Sequence, residues 1–525
     1  MTLVADKSIV DTVHRQVTEQ GNAVAFQFEG RQTTFRQFDL NSNKVANALI
    51  ASGIKPGDHI AYLGKNNDHY FELMIGAMKM GAITTPVNWR LAPPEVVYIV
   101  NDSESPILFV GPELSTLVRQ AGPQLKTVKT FVAMEGNESG WLDFVKWRDA
   151  QKNTPPPHLA REGDVAIQLY TSGTTGHPKG AMLSHKNLLD LRDDKYGAIP
   201  EANVWLPGDV SLISMPAFHI AGSGLGIYGL YYGVKSIIAR DFDPGQTLEF
   251  IEKERISKLF LVPAALQFMV RHPRARQTDY SSVKFVLYGA SPIPLELLKE
   301  CMEVMGCGFV QVYGMTETTG AITYLPSEDH SVEGNQRMRS AGKAYPGVEM
   351  AILDAEGKEL PRGQTGEIAT RSNNNMVGYW KLPDASKAVM TSDGWLRTGD
   401  AGYMDEDGYI YVQDRIKDMI ISGGENIYPA EVENAIFGHP LVADVAVVGV
   451  PDEKWGESVK AIVVRKPGAE VSADDIIAYA RKNIAGYKSP RSVDFIDALP
   501  RNASGKILRR QLREPYWAGK SRRVN

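Results

Sequence analysis

A chain of 525 residues, 43% hydrophobic and 23% charged, exceeds the ~250–300 residues that one hydrophobic core sustains, so at least two globular domains are expected. The net charge of −5 excludes a global electrostatic attraction for nucleic acid. Two cysteines, Cys301 and Cys307, without CxxC spacing, argue against a disulfide framework or thiolate metal site and fit a reducing, cytoplasmic setting.

The N-terminus lacks a basic segment followed by an apolar run, so no secretory signal is expected. Residues 59–63 (HIAYL) read as a strand, 70–80 (YFELMIGAMKM) as a buried helix, and 83–87 and 107–110 as further strands. Residues 154–158 (TPPPH) are a stiff connector, and 165–169 is strand-like. From 210 to 234 there is no formal charge, a length that could span a bilayer. Pro216, His219 and five glycines interrupt it, so a buried strand, loop and helix are expected and no integral membrane segment. Residues 224–229 satisfy GxGxxG, with Asp241 downstream. Residues 216–223 separate them from their strand, whereas a dinucleotide fingerprint turns straight off its strand. Helix packing explains these glycines better.

Residues 284–288 and 308–313 are two more apolar strands around a helix at 295–305. Such alternation predicts mostly parallel sheets covered by helices. Beyond about Asp414 the elements shorten. Pro429 opens a helix over 430–436, strands follow at 442–450 and 459–464, and Ser472 and Asp475 form a capping box before 476–484. A small α+β domain is expected over 415–525, with the larger domain over 1–414 and a hinge near 414–418.

Residues 170–180 (YTSGTTGHPKG) carry five hydroxyl side chains, three glycines and Lys179. Glycines admit backbone N–H groups to an anion, hydroxyls add donors, and lysine adds a cation. The spacing is not that of a Walker A loop. A flexible Ser/Gly loop is the alternative. Other polar residues are ambiguous in isolation: Glu317 as a solvated helix carboxylate, Asp400 as a turn residue after Gly399, Lys506 as a surface lysine, and His219 as a core histidine.

The segment resembles the signature of the adenylate-forming superfamily, which includes acyl-CoA synthetases, luciferases and peptide-synthetase adenylation domains. Further matches follow in the family's order at 215–222 (MPAFHIAG), 288–292 (YGASP), 313–320 (YGMTETTG), 395–400 (WLRTGD), 414–429 (DRIKDMIISGGENIYP) and 500–506 (PRNASGK). The resemblance implies the acyl-adenylate synthetase fold: an α/β class, with a large N-terminal domain of stacked, mostly parallel sheets and a small mobile α+β C-terminal domain. It implies ATP and coenzyme A as substrates and Mg2+ as cofactor. Thr171, Ser172, Gly173, Thr174, Thr175 and Lys179 match the β,γ-phosphate cradle. Glu317 matches the metal ligand, with Thr174 beside it, and Thr316 the α-phosphate contact. Gly289, Ala290, Ser291, Tyr313 and Gly314 match the adenine wall, and Asp400 and Arg415 the ribose contacts. Lys506 matches the lysine that reaches the site during adenylation. Lys417 falls at the hinge, where some relatives have aspartate. Ser422, Gly423, Gly424 and Glu425 would line the pantetheine channel, gated by His219.

By the same resemblance, residues 215–228, 290–293 and 314–322 line the acid pocket. They carry no lysine or arginine for a second carboxylate and no spare acid for an amine, against amino acids and dicarboxylates. The pattern, including 86–96 (PVNWRLAPPEV) and 449–457 (GVPDEKWGE), looks most like bacterial medium- or long-chain fatty acyl-CoA ligases. An aromatic acid of benzoate or cinnamate type, a carrier-protein acceptor, a luciferase-like activity and a non-catalytic nucleotide-binding protein of the same fold are the alternatives. Peripheral membrane contact and a homodimer are left open.

Overall fold

The computed structural model describes residues 6–171, 178–190, 196–416, 418–423, 425–501 and 507–518. Two large sheets share one core. The nine-stranded sheet runs, in spatial order, Lys343–Ala344, Gly320–Leu325, Gly308–Met315, Phe285–Gly289, Lys258–Leu261, Val210–Ile213, Lys235–Ile238, Val24–Phe28, Arg31–Thr34. Its interior pairs are parallel and its outer pairs antiparallel. The eight-stranded sheet runs Gly378–Tyr379, Lys179–Ser184, Val165–Thr171, Ile83–Val87, His59–Leu63, Ile107–Val110, Thr130–Ala133, Leu142–Asp143. It is parallel except at the Lys179–Ser184 edge.

The apolar strands at 59–63, 83–87 and 107–110 are buried along their length, which is why they read as continuous runs rather than alternating ones. The helix Asp68–Met80 starts two residues before the expected 70, because Asn67 caps it by accepting the Tyr70 amide at 2.7 Å. It is buried nearly all round, lying with Phe35–Ala51 and Ile220–Tyr232 in the core that both sheets share. The uncharged stretch is a strand, Val210–Ile213, a loop and that third helix. Its GxGxxG glycines are helical; an added Cβ at Gly226 would collide with the Phe71 ring. No helix among the described residues is long and apolar enough to cross a membrane.

One feature was not anticipated from sequence. Residues 349–415 form a separate four-stranded antiparallel sheet, Glu349–Leu353, Gly366–Arg371, Leu396–Met404 and Ile410–Arg415. The chain leaves it at Arg415 and enters a five-stranded sheet at Ile420. There Ile420–Ser422, Glu425–Ile427, Val442–Asp452, Gly456–Arg465 and Ser492–Phe495 pack a core of their own against the helices Pro429–Phe437 and Ala473–Asn483. The latter is capped by Ser472 and Asp475, as the sequence suggests.

His59 and His185 are buried, and desolvation pushes each down to about 4. The unfolded chain takes up protons near pH ~6.5. Between those values the unfolded state binds more protons than the folded one, so stability falls as pH drops through that window, by about 1.4 kcal/mol per pH unit for each histidine. Denaturation midpoints measured from pH 7.5 to 4.5 should show this slope. His185→Asn keeps an acceptor for the Ile9 amide that Nδ1 now accepts at 3.2 Å, and should flatten the slope. An unchanged slope contradicts the assignment.

Candidate active site

The strands Val165–Thr171 and Lys179–Ser184 pair antiparallel with Thr171 opposite Lys179, so they form the two walls of the hydroxyl-rich loop. Ser172, Gly173, Thr174 and Thr175 lie outside the described residues. Glu317 comes from the other large sheet. It sits in the turn Thr316–Thr318 that follows Gly308–Met315, and it is 5% exposed. It is thus a buried carboxylate rather than a solvated helix residue, and burial of this kind requires compensation. Thr171 Oγ1 donates to Glu317 Oε1 at 3.1 Å and Tyr379 Oη donates to the same oxygen at 2.8 Å. The Lys179 Nζ lies 5.1 Å from the Tyr379 ring centroid, a cation–π distance. Burial, followed by the Glu317 charge, pushes the Tyr379 phenol well above its ordinary value, so it is a permanent donor.

The residues expected around the adenosine lie on neighbouring strands of two sheets, Gly289, Tyr313 and Gly314 in the nine-stranded one and Asp400 and Arg415 in the four-stranded one. Gly289 stands opposite Val312, and an added Cβ would collide with the Val312 carbonyl oxygen; at Gly314 it would collide with that of Gly320. Both positions therefore demand glycine. Ala290 takes φ 66°, a left-handed conformation rarely tolerated outside glycine. Asp400 and Arg415 face each other across the ladder of the four-stranded sheet. Arg415 Nε meets Asp400 Oδ1 at 2.6 Å, and Tyr313 Oη donates to Oδ2 at 2.7 Å. Burial opposes the Arg415 charge, but Asp400, Tyr313 and Glu317 outweigh it and hold the guanidinium above its ordinary value. Asp400 is thereby oriented on both oxygens, and a carboxylate retains further lone pairs for a diol.

His219 occupies the N-cap position of Ile220–Tyr232 without a side-chain capping bond. Its Nε2 is buried and has no hydrogen-bond partner among the described residues. Desolvation pushes it down to about 4, so it is neutral. The Ser422 and Glu425 pair closes the hairpin of Ile420–Ser422 and Glu425–Ile427. Gly423 takes φ 63° and donates its amide to the Trp455 carbonyl at 2.8 Å, with the indole packed on its Cα face. Gly424 and Lys417 lie outside the described residues.

Lys506 also lies outside them, but its flanks are pinned. Arg501 and Ile507 form an antiparallel bridge, and the Leu508 amide donates to the Pro500 carbonyl at 2.8 Å. Arg501 pairs with Asp444 at 2.7 Å, and Arg509 with Glu433 at 2.7 Å and Asp414 at 3.7 Å. Ser291, Pro292 and Pro294 line one side of a cleft of about 90 Å³, and Arg501, Ile507 and Arg509 line the other. Arg501 and Ile507, on either side of residues 502–506, therefore flank the loop that bears Ser291.

Two residues escaped the sequence reading. Tyr379 carries no local signal beyond its aromatic type; only its fold position brings it to Glu317. Trp455 lies in the GVPDEKWGE run but has no role legible there. In the structure Lys454 Nζ lies 4.7 Å and the Arg491 guanidinium 4.8 Å from its indole ring centroid.

The family model described as AMP-binding enzyme matches residues 13–380, and that described as AMP-binding enzyme C-terminal domain matches residues 431–506. Over 522 residues the chain is 41% identical to the fatty acid–[acyl-carrier-protein] ligase ScoC of Streptomyces coeruleorubidus, covering 99% of this chain and 98% of that protein. It is 38% identical to a feruloyl-CoA synthase of an Amycolatopsis species, over 96% of this chain and 98% of that one. The crystal structure of the anthranilate CoA ligase AuaEII with anthranoyl-AMP superposes with a TM-score of 0.88 at 27% identity, over 97% of both chains.

Asp414 is buried and Glu433 half-buried; desolvation raises both carboxylates, and Arg509 opposes that rise in each. Arg509→Ala leaves both carboxylates with backbone amide donors only and no cationic partner, a change of the kind that costs about 3–5 kcal/mol. The C-terminal domain should then melt as a separate, earlier transition in calorimetry. A single unshifted transition contradicts this role for Arg509.

Proposed function

The chain belongs to the AMP-binding enzyme family, and from that premise we propose that it is an ATP-dependent ligase that joins an apolar monocarboxylic acid to coenzyme A through an acyl-adenylate. The observation that carries this reading is the buried Glu317, held by Thr171 at the root of a hydroxyl-rich loop and by Tyr379 beside Lys179.

In the first step a carboxylate oxygen attacks the α-phosphorus, the new O–P bond forms, and pyrophosphate leaves. An anion must approach a polyanion, so the residues act by positioning and by charge. Thr171, Lys179 and the loop hydroxyls of Ser172, Thr174 and Thr175 bind the β- and γ-phosphates, and Thr316 contacts the α-phosphate. Asp400, set by Tyr313 and Arg415, receives the ribose hydroxyls. Residues 289–291 and Gly314 flank the adenine. Lys506 brings a cation between the attacking carboxylate and the α-phosphate.

A magnesium ion fits the donor set. Glu317 offers a hard oxygen, and no described residue donates to its Oε2. Glu317 and Thr174 would hold the ion, which supplies positive charge shared with substrate phosphate oxygens.

In the second step the thiol sulfur attacks the acyl carbonyl and AMP leaves. We place the domain division at 414/415 and the hinge at Lys417, so that rotation withdraws Lys506 and brings Ser422, Gly423, Gly424 and Glu425 to a channel bordered by the neutral His219. Coenzyme A as acceptor is supported by Trp455, whose ring centroid lies 4.7 Å from the Lys454 cation and 4.8 Å from that of Arg491, groups suited to the phosphates of that ligand. A carrier-protein thiol is the second reading, favoured by the likeness to ScoC.

For the acid, a medium- or long-chain fatty acid is the first reading. An added Cβ at Gly224 would meet only Ile220, at 3.7 Å, so there is room beside this one position of the helix and its neighbour there is apolar. The likeness to feruloyl-CoA synthase favours an aromatic acid as the second reading.

AMP formation in the presence of coenzyme A, measured across aliphatic chain lengths and aromatic acids, should single out one acid class; no turnover with any monocarboxylate contradicts the assignment. Glu317→Ala should cripple magnesium-dependent adenylation. Lys506→Ala should slow adenylate formation by about 10²–10³-fold and thioester formation from supplied acyl-adenylate far less. Equal losses in both steps contradict the two-arrangement mechanism.

A further inference from the structure

Tyr379 belongs to no motif singled out in the sequence, yet it touches two groups assigned to the triphosphate site. Its backbone is fixed on three sides. Gly378–Tyr379 pairs with Met182 and Ala181 at the edge of the phosphate-loop sheet, and the Tyr379 amide donates to Ser386 Oγ at 2.9 Å. The next residue, Trp380, donates its amide to the Gly180 carbonyl at 2.8 Å and its indole Nε1 to the Asp102 carbonyl at 3.0 Å. The side chain is 7% exposed. A phenol held this rigidly presents its ring and its hydroxyl to different partners. The ring face receives the Lys179 ammonium at 5.1 Å, and the hydroxyl donates to Glu317 Oε1 at 2.8 Å.

We propose that Tyr379 is a positioning residue that fixes the Glu317 carboxylate for a divalent cation and registers it against the phosphate-binding lysine. The inference rests on the reading of Glu317 as the metal-side carboxylate. The two donors to Glu317, Thr171 and Tyr379, converge on one oxygen. Tyr379 comes from the edge strand of the phosphate-loop sheet and Thr171 from the end of the third strand in, whereas Glu317 comes from the other large sheet. The pair therefore locks a carboxylate of one sheet to the loop of the other. Oε1 is committed to protein donors, and Oε2 is directed by the same two bonds. Without the hydroxyl the carboxylate turns more freely, and ordering it becomes part of the cost of metal binding. Without the ring, Lys179 loses an aromatic face that holds its ammonium near the phosphates.

The two halves of the side chain predict different phenotypes. Tyr379→Phe keeps the ring and removes the donor. It should raise the free Mg2+ needed for half-maximal ATP binding about tenfold, the ordinary worth of a hydrogen bond to a charged group. ATP affinity in EDTA should stay within twofold. Tyr379→Leu should weaken ATP binding even in EDTA. Thr171→Val, which removes the other donor, should shift the Mg2+ midpoint in the same direction, and the double variant should approach the midpoint of Glu317→Gln. Binding is read by calorimetry with full-length enzyme and ATP over a series of free Mg2+ concentrations, without acid or thiol. Bound metal is counted by Mn2+ EPR, and melting temperatures check that each variant is folded. A folded Tyr379→Phe enzyme with a Mg2+ midpoint within twofold of the parent overturns the positioning role. If Glu317→Gln itself leaves the midpoint unchanged, the metal-side reading of Glu317 fails, and this inference fails with it.

Discussion

The chemistry of this enzyme is governed by one electrostatic obstacle: a carboxylate must be brought against a triphosphate. Each pair of unit charges 4 Å apart costs about 4 kcal/mol at an effective dielectric of 20. The fold answers with charged groups that are already held in place. Arg415 is paired to Asp400, and Glu317 is held by Thr171 and Tyr379 hydroxyls. Lys179 faces an aromatic ring and has no carboxylate partner among the described contacts. On the proposed reading its charge is thereby left for phosphate, while the acids are oriented before any ligand arrives.

These groups come from three sheets. Thr171, Lys179 and Tyr379 belong to the eight-stranded sheet, Tyr313 and the turn bearing Glu317 to the nine-stranded one, and Asp400 and Arg415 to the antiparallel four-stranded one. No single element carries a working site. The shared core between the large sheets, filled by the buried helix Asp68–Met80 and its neighbours, sets the spacing that lets side chains 146 residues apart, such as Thr171 and Glu317, share a hydrogen bond. Core packing and site geometry are therefore one problem, since a shift of one sheet against the other moves donors away from Glu317.

What the sequence disclosed follows from range. Buried strands such as 59–63 and 107–110 and the Ser472 capping box are encoded within a few residues, and the structure places them where the pattern does. The helix glycines at 224–229 were legible as packing positions because their strand lay too far upstream. The antiparallel sheet after residue 349 was not, because short strands joined by turns lack the strand–helix rhythm. The pairing of Val24–Phe28 with Lys235–Ile238 spans more than two hundred residues and leaves no local trace. Tyr379 and Trp455 were missed for the same reason: an aromatic residue near a turn becomes informative only when its neighbours across the fold are known.

The small C-terminal domain is tied to the same logic. Asp414, at the end of the last strand before the crossing, is buried and faces Arg509, three residues beyond Lys506, beside the half-buried Glu433. The cluster links the crossing point to the segment expected to carry the adenylation lysine, so a change at one is felt at the other. The central claim, that a fixed cradle grips ATP while a carboxylate displaces pyrophosphate, is tested most directly by equilibrium isotope exchange. With acid, ATP and Mg2+ but no thiol, labelled pyrophosphate should pass into ATP, and the exchange should vanish when the acid is omitted. Exchange absent with every monocarboxylate tried, or present without any acid, contradicts the account.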